Sequence, residues 1–138
     1  MRYLGLDLGS RTLGVAVSDK TGMIASSLKI IRHDEEYDRL LTDIKDLVDE
    51  LEIDAIVLGF PKNMNGTVGP KGELSMEFKT KLENILSIPI YLQDERLTTK
   101  SATDMLIMGN VSRKDRKKVV DSVAATIILQ TFLDRRER

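Results

Sequence analysis

Between Tyr3 and Ser18 the chain alternates bulky and small residues twice over. Leu4, Leu6 and Leu8 interleave with Gly5, Asp7 and Gly9, and Leu13, Val15 and Val17 interleave with Gly14, Ala16 and Ser18. A period of two is that of a strand, whose successive side chains point to opposite faces. Gly9-Ser10-Arg11-Thr12 and Asp19-Lys20-Thr21-Gly22 supply turns, and a third strand is predicted around Met23 to Arg32. The opening quarter of the chain is therefore expected to be an antiparallel meander. One face of it is apolar, and the other is nearly bare except for a single carboxylate.

That carboxylate is Asp7, with glycine on both sides clearing space for another group to approach the backbone. Burying an unpaired carboxylate costs several kcal/mol unless it protonates, so Asp7 needs a cation or a hydrogen-bond partner. A locally hydrogen-bonded turn or capping aspartate is one reading. The other is a metal ligand, and it requires further carboxylates in comparable settings. Glu95 and Asp121 are the two the chain offers.

Beyond Asp34 the period changes. Tyr37, Leu40, Leu41, Ile44, Leu47, Val48 and Leu51 recur at helical spacing, with Asp34, Glu35 and Glu36 at the favourable amino end. Ala55-Ile56-Val57-Leu58 is a short apolar run ending at Gly59, as expected of a central parallel strand. Gly59 to Gly72 holds four glycines and two prolines and is predicted to be a long loop. A second helix follows, with Leu74, Phe78, Leu82 and Ile85 inward. Ile88 to Gln93 is another strand, which Pro89 places at an edge or at the strand start. A short helix is expected over Thr99 to Met108. Ser112 and Asp115 resemble a capping box opening a last helix that runs to about Leu133. Three antiparallel strands followed by helix, strand, helix, strand and helices imply an α/β fold: a mixed sheet flanked by helices.

Glu95 falls at the carboxyl end of the last strand, where open α/β sheets bind ligands. A surface ion pair with Arg96 is the alternative. Asp121 interrupts the apolar helical stretch Val119 to Leu129, with the small Ala125 one turn further along the same face. A small residue there lets the helix lie close to the sheet, so that a short aspartate reaches the central strand. The alternative is an aspartate pointing to solvent. Jointly, Asp7, Glu95 and Asp121 suggest a Mg²⁺ or Mn²⁺ centre, because hard divalent cations prefer carboxylate oxygens. Such a centre hydrolyses phosphodiesters.

Composition narrows the chemistry further. The 138 residues include no cysteine and one histidine, which excludes disulfides, thiolate zinc and a cysteine nucleophile. No apolar run approaches the roughly 20 residues that span a bilayer, and the amino terminus has no signal-peptide pattern, so a cytoplasmic protein of one domain, residues 1–138, is expected. The net charge of −1 argues against a uniformly basic nucleic-acid binder but leaves room for a local basic patch. Arg113, Lys114, Arg116, Lys117 and Lys118 form such a run close to Asp121. It is either a solvated helix face or a set of phosphate contacts. The Gly59 to Pro70 loop likewise has two readings: a mobile connection, or a cradle in which backbone N–H groups, Lys62 and Asn65 meet phosphates or the water network of a metal site. It lacks the Gly-Lys-Ser/Thr ending of a P-loop. His33, between a strand and an acidic helix start, is expected to be a surface or capping residue and not a ligand.

Four segments together resemble the YqgF family, nucleases of the 16S ribosomal RNA precursor that are also described as Holliday-junction-resolvase-like. They are Gly5-Leu6-Asp7-Leu8-Gly9-Ser10-Arg11-Thr12 through Asp19, Gly59-Phe60-Pro61 through Met64-Asn65-Gly66-Thr67, Asp94-Glu95-Arg96-Leu97-Thr98-Thr99, and Asp121 through Ala124-Ala125 to Gln130. The first alone is shared with actin-like ATPases and sugar kinases. All four, in this order over essentially the whole chain, are specific. The resemblance implies a ribonuclease H-like domain with Asp7, Glu95 and Asp121 as catalytic, metal-binding carboxylates. It also implies processing of the 5′ end of the ribosomal RNA precursor in the cytoplasm.

The lead expectation is thus a metal-dependent nuclease, with Arg11, Lys62, Asn65, Arg96, Arg113 and Lys117 as candidate nucleic-acid contacts. A resolvase of branched DNA is the alternative, and should be a homodimer because two symmetric cuts need two sites. A nucleotide-clamping kinase or ATPase would need two such domains. A non-catalytic nucleic-acid-binding module would not need all three carboxylates. Either a monomer or a homodimer is compatible with the nuclease.

Overall fold

The structure, a computed structural model, describes residues 1–63, 65–95 and 113–136, and of residues 113–122 the backbone alone. Strands β1 (Tyr3–Leu8), β2 (Thr12–Ser18) and β3 (Ala25–Arg32) are followed by α1 (Tyr37–Glu50), β4 (Ala55–Phe60), α2 (Pro70–Ile85), β5 (Ile90–Asp94) and α3 (Arg113–Arg135). The five strands make one sheet in the order β3-β2-β1-β4-β5. β1 pairs antiparallel with β2, and β2 with β3, whereas β1 with β4 and β4 with β5 run parallel. The mixed sheet read from the alternation is the observed one, and β1, the strand of Asp7, lies at its centre.

The alternation sorts the two faces. Leu4, Leu6, Leu13, Val15, Ile56 and Leu58 pack with Leu40, Ile44, Leu47 and Val48 of α1 and with Phe78 and Leu82 of α2. Burying each such side chain contributes about 1.5–3 kcal/mol. On the opposite face Tyr3, Ala16, Ala55 and Val57 pack with Ala125, Ile128, Leu129 and Leu133 of α3. The small residues on this face let α3 sit close: a Cβ on Gly5 would lie 2.7 Å from Leu129 Cβ and 3.1 Å from the Ala125 carbonyl oxygen. The close helix–sheet approach expected from Ala125 is therefore present, and Gly5 is the other half of it.

The carboxyl end of α3 is tied to the start of the meander. Gln130 Oε1 accepts from Ala25 N–H at 2.9 Å, and Gln130 Nε2 donates to the Met23 carbonyl at 3.0 Å. Arg136 lies over the Tyr3 ring, 4.9 Å from its centroid, and donates to the Gly22 carbonyl and the Tyr3 hydroxyl. The helix therefore runs antiparallel to β1.

Several boundaries differ from the sequence reading. β3 starts at Ala25, because Asp19 Oδ1 accepts from the N–H groups of Met23 and Ile24 and holds them in the preceding turn. Asp34 and Glu35 lie outside α1 with φ of 45° and 68°, so the acidic residue in its first turn is Asp38. The long loop ends earlier than Gly72: Pro70 opens α2, as its fixed φ suits a first helical position. Ile85 is exposed and Leu74 half-buried, leaving Phe78 and Leu82 as the inward pair. β5 is an edge strand, which accommodates Pro89 just before it. The expected helix over Thr99 to Met108 and the Ser112 cap lie outside the described residues. Among the described residues no helix is long and apolar enough to cross a membrane.

Candidate nuclease site

Asp7 is the next-to-last residue of β1, half-buried, on the same face as Gly5. Its cross-strand partner in β2 is Gly14. On the other side β4 ends in Gly59-Phe60, and Glu95 follows β5 directly, its N–H donating to the Phe60 carbonyl at 3.2 Å. The Glu95 side chain turns back over β4: a Cβ on Gly59 would overlap Glu95 Oε2 and would lie 2.7 Å from Ile128 Cδ1. Bare positions thus make room for a carboxylate on the α3 face, at the carboxyl ends of the parallel strands.

Electrostatics ties the two acids together. The Glu95 carboxyl is pushed up to about 7, first by burial and then by the negative charge of Asp7, with Asp94 adding to the rise and Lys71 opposing it. Two carboxylates close enough to disturb each other in a water-poor setting form an electrostatic arrangement that a cation relieves. Their oxygens are hard donors, suited to Mg²⁺ or Mn²⁺. On that observation the donor set fits a divalent metal.

The third acid is placed by its backbone. Ala125 stands against Gly5, and Asp121 lies one turn earlier on a helix antiparallel to β1. Four helical residues advance about 6 Å and two strand residues about 6.6 Å. Position 121 therefore reaches the level of Asp7; its side chain lies outside the described residues. Among the described residues no group of three or more candidate ligands is present.

The candidate nucleic-acid contacts divide. Arg11 is exposed at the tip of the β1–β2 turn, beside the end of the Asp7 strand. Lys62 lies with its Nζ 5.7 Å from the centroid of the Phe60 ring, a few residues beyond Gly59. Asn65 is engaged within its loop: its Oδ1 accepts from Thr67 N–H at 3.1 Å and from the Thr67 hydroxyl at 2.7 Å. That loop is a built hairpin, with Lys62 bridged to Val68 and Asn63 N–H donating to the Thr67 carbonyl at 2.8 Å. Arg96 lies outside the described residues, and Arg113 and Lys117 are placed only as backbone in the first turns of α3.

The sequence reading missed Lys71 and misplaced His33. Lys71, assigned to the loop, sits in the first turn of α2 and acts on Glu95. The packing of its neighbour Gly72 against Phe60 and Pro61 brings it there, a close approach with no signal in a chain pattern. His33 is not a surface residue: it is 1% exposed, with Nε2 2.9 Å from the Gly9 carbonyl and Nδ1 3.0 Å from Glu35 N–H. Nor does it cap α1, whose amino end at Glu36 has no side-chain cap hydrogen bond; the strand–helix junction that suggested solvent is folded over the imidazole.

The chain is similar to known proteins. The family model described as RuvX, Holliday junction resolvase, matches residues 1–135. A protein of Geobacillus sp. (strain WCH70) named "Putative pre-16S rRNA nuclease" is 53% identical over 138 residues, covering 99% of this chain and all of that one. One of the same name from Bacillus subtilis (strain 168) is 54% identical over 135 residues, 97% of this chain and 98% of its own. Among solved structures, Thermus thermophilus RuvC superposes with a TM-score of 0.58 at 14% identity, covering 97% of this chain and 96% of that one. The T. thermophilus RuvC complex with a Holliday junction gives 0.60 at 12% identity, covering 99% and 98%. At such identities the structural likeness establishes the fold alone, which is the ribonuclease H-like one.

Proposed function

We propose, for a chain that belongs to the RuvX family of Holliday junction resolvases, that it is a metal-dependent nuclease whose substrate is the precursor of 16S ribosomal RNA, cut in 5′-end processing. The observation that carries the reading is the Glu95 carboxyl folded over Gly59 and pushed up to about 7 by burial and by Asp7. A structural acid of this kind gains nothing from its setting, whereas a ligand awaiting a cation does. The names borne by relatives more than half identical to this chain point to ribosomal RNA as the substrate.

In this reading Asp7, Glu95 and Asp121 hold Mg²⁺ or Mn²⁺ and are the catalytic set. The bound ion supplies Lewis acidity at the scissile phosphate. The chain's own residues do the rest. Glu95 and Asp7 present their oxygens on the α3 face, and Lys71 offsets part of the negative charge beside Glu95. Arg11, Lys62, Arg96, Arg113 and Lys117 contact the substrate backbone around an otherwise acidic protein. Asn65 has its side-chain oxygen committed to Thr67, which leaves its amide N–H₂ as the group for a contact. The domain is residues 1–138, and the place of action is the cytoplasm.

A second reading follows from the family description itself: cleavage of a branched DNA junction, which needs two sites and hence a homodimer. Labelled ribosomal RNA precursor and a four-way DNA junction, incubated side by side, separate the two. Cleavage of the RNA is expected with Mg²⁺ or Mn²⁺, little with Ca²⁺, whose larger and looser shell misplaces the attacking water, and none in EDTA. Preferential symmetric cutting of the junction by a dimer would replace the first reading by the second. Full activity in EDTA, with bound metal shown absent, would remove both.

A further inference from the structure

The single histidine of the chain is spent on one turn. Its imidazole is 1% exposed and packs against the Tyr37 ring, with centroids 5.0 Å apart. Nδ1 faces Glu35 N–H at 3.0 Å and must accept, so in the neutral ring the hydrogen is on Nε2, which donates to the Gly9 carbonyl at 2.9 Å. The His33 backbone adds a second tie, its N–H donating to the Arg11 carbonyl at 3.0 Å. Gly9 N–H closes the turn on the Thr12 carbonyl at 2.8 Å. Residue 33 therefore grips both sides of Ser10-Arg11, the exposed tip that leaves β1 just beyond Asp7.

The grip is maintained against local preference. Asp34 and Glu35 both hold left-handed backbone, with φ of 45° and 68°. Two consecutive non-glycine residues in that region are strained and persist only where the surrounding contacts hold them. The conformation delivers the Glu35 N–H to Nδ1, fixing the ring so that Nε2 can reach across to Gly9. Capping of α1 does not account for the ring, because the helix has no side-chain cap hydrogen bond at Glu36 and the Glu36 N–H donates to the His33 backbone carbonyl.

We propose that His33 is a positioning residue for nucleic-acid binding: by locking the Gly9–Thr12 turn it holds Arg11 ready for a substrate phosphate. This role rests on Arg11 being a contact to the substrate backbone. A tip ordered in advance avoids the loss of loop and side-chain freedom that binding otherwise imposes.

The test measures affinity for a labelled RNA strand from the 16S precursor in EDTA, where no cleavage is expected. His33→Gln keeps an amide donor at the place of Nε2, whereas His33→Asn keeps an acceptor near Nδ1 and loses the donor to Gly9. His33→Asn should weaken binding about as much as Arg11→Ala, roughly three- to tenfold, on the scale of one solvent-exposed hydrogen-bonded contact. His33→Gln should restore most of the affinity. The double variant Arg11→Ala with His33→Asn should bind no worse than Arg11→Ala alone. If Arg11→Ala binds like wild type, the Arg11 contact fails and the positioning role fails with it. If Arg11→Ala weakens binding but His33→Asn is silent or additive, only the positioning role is overturned. Should His33→Asn not fold, the unmutated ring decides the same question. As the chain's one histidine, its imidazole ¹⁵N resonance is unambiguous, and RNA should shift it in wild type but not in Arg11→Ala. No shift in wild type overturns the proposal.

Discussion

The Glu95 carboxylate occupies the space that a side chain at position 59 would need, because its Oε2 stands where a Cβ on Gly59 would be. The same fold meets a different obstacle at Gly5, where a Cβ would press on Leu129 Cβ at 2.7 Å and on a helix carbonyl at 3.1 Å. One glycine makes room for a functional group and the other for a helix.

Gly59→Ala and Gly5→Ala should therefore separate activity from stability. At position 59 two side-chain ends, the Glu95 carboxylate and the Ile128 Cδ1 methyl, must yield, so the protein should lose about 1–2 kcal/mol while cleavage falls at least about tenfold. At position 5 the helix must move as a body, at about 3 kcal/mol. Chemical denaturation and a cleavage assay on both variants check this. A Gly59→Ala protein with full activity would show that the placement of Glu95 does not matter.

The raised Glu95 carboxyl makes the metal-free protein pH-sensitive. Between about 4.5 and 7 the native state keeps this proton and the unfolded chain has released it, so stability falls as pH rises through that window. The loss is at most roughly 3 kcal/mol by about pH 8. Glu95→Gln should match wild type near pH 4 and exceed it near pH 8. Melting curves in EDTA across that range test the sign, and a wild type whose stability relative to Glu95→Gln does not fall with pH contradicts it.

Asp7→Asn keeps the shape of the side chain and removes the charge that disturbs Glu95. Cleavage should be abolished, with metal-free stability unchanged or improved by ~1 kcal/mol. The stabilisation that Mn²⁺ gives wild type should largely vanish, because the cation binds only the folded site. Were Asp7 a structural hydrogen-bonding residue, the variant would instead lose roughly 1–3 kcal/mol and keep its response to metal. Thermal melts with and without Mn²⁺ distinguish the two outcomes.

Replacing Arg113 and Lys117 together by alanine should weaken RNA binding and flatten its salt dependence, by up to about one log–log unit per lost phosphate contact. An unchanged slope would return both residues to a solvated helix face.

The sequence alone determined the sheet and its two faces. The Leu4-Gly5-Leu6-Asp7-Leu8 alternation has only one strand-like solution, and the meander and central apolar run followed from local patterns of period two. It also singled out Asp7 and Glu95, because a carboxylate amid small residues and another at a strand's carboxyl end are visible without coordinates. Tertiary structure decided what those residues meet. The position of Glu95 over Gly59, the charge of Asp7 upon it and the reach of Lys71 all depend on β1, β4 and β5 being neighbours, contacts separated by dozens of residues in the chain. His33 shows the same division. A histidine before an acidic helix start looks solvated by its sequence neighbours, and only the return of β3 alongside β2 brings Gly9 and Arg11 against it. Periodicity encodes which face a side chain takes, because that is set by its own backbone. Which distant group shares that face is set by packing.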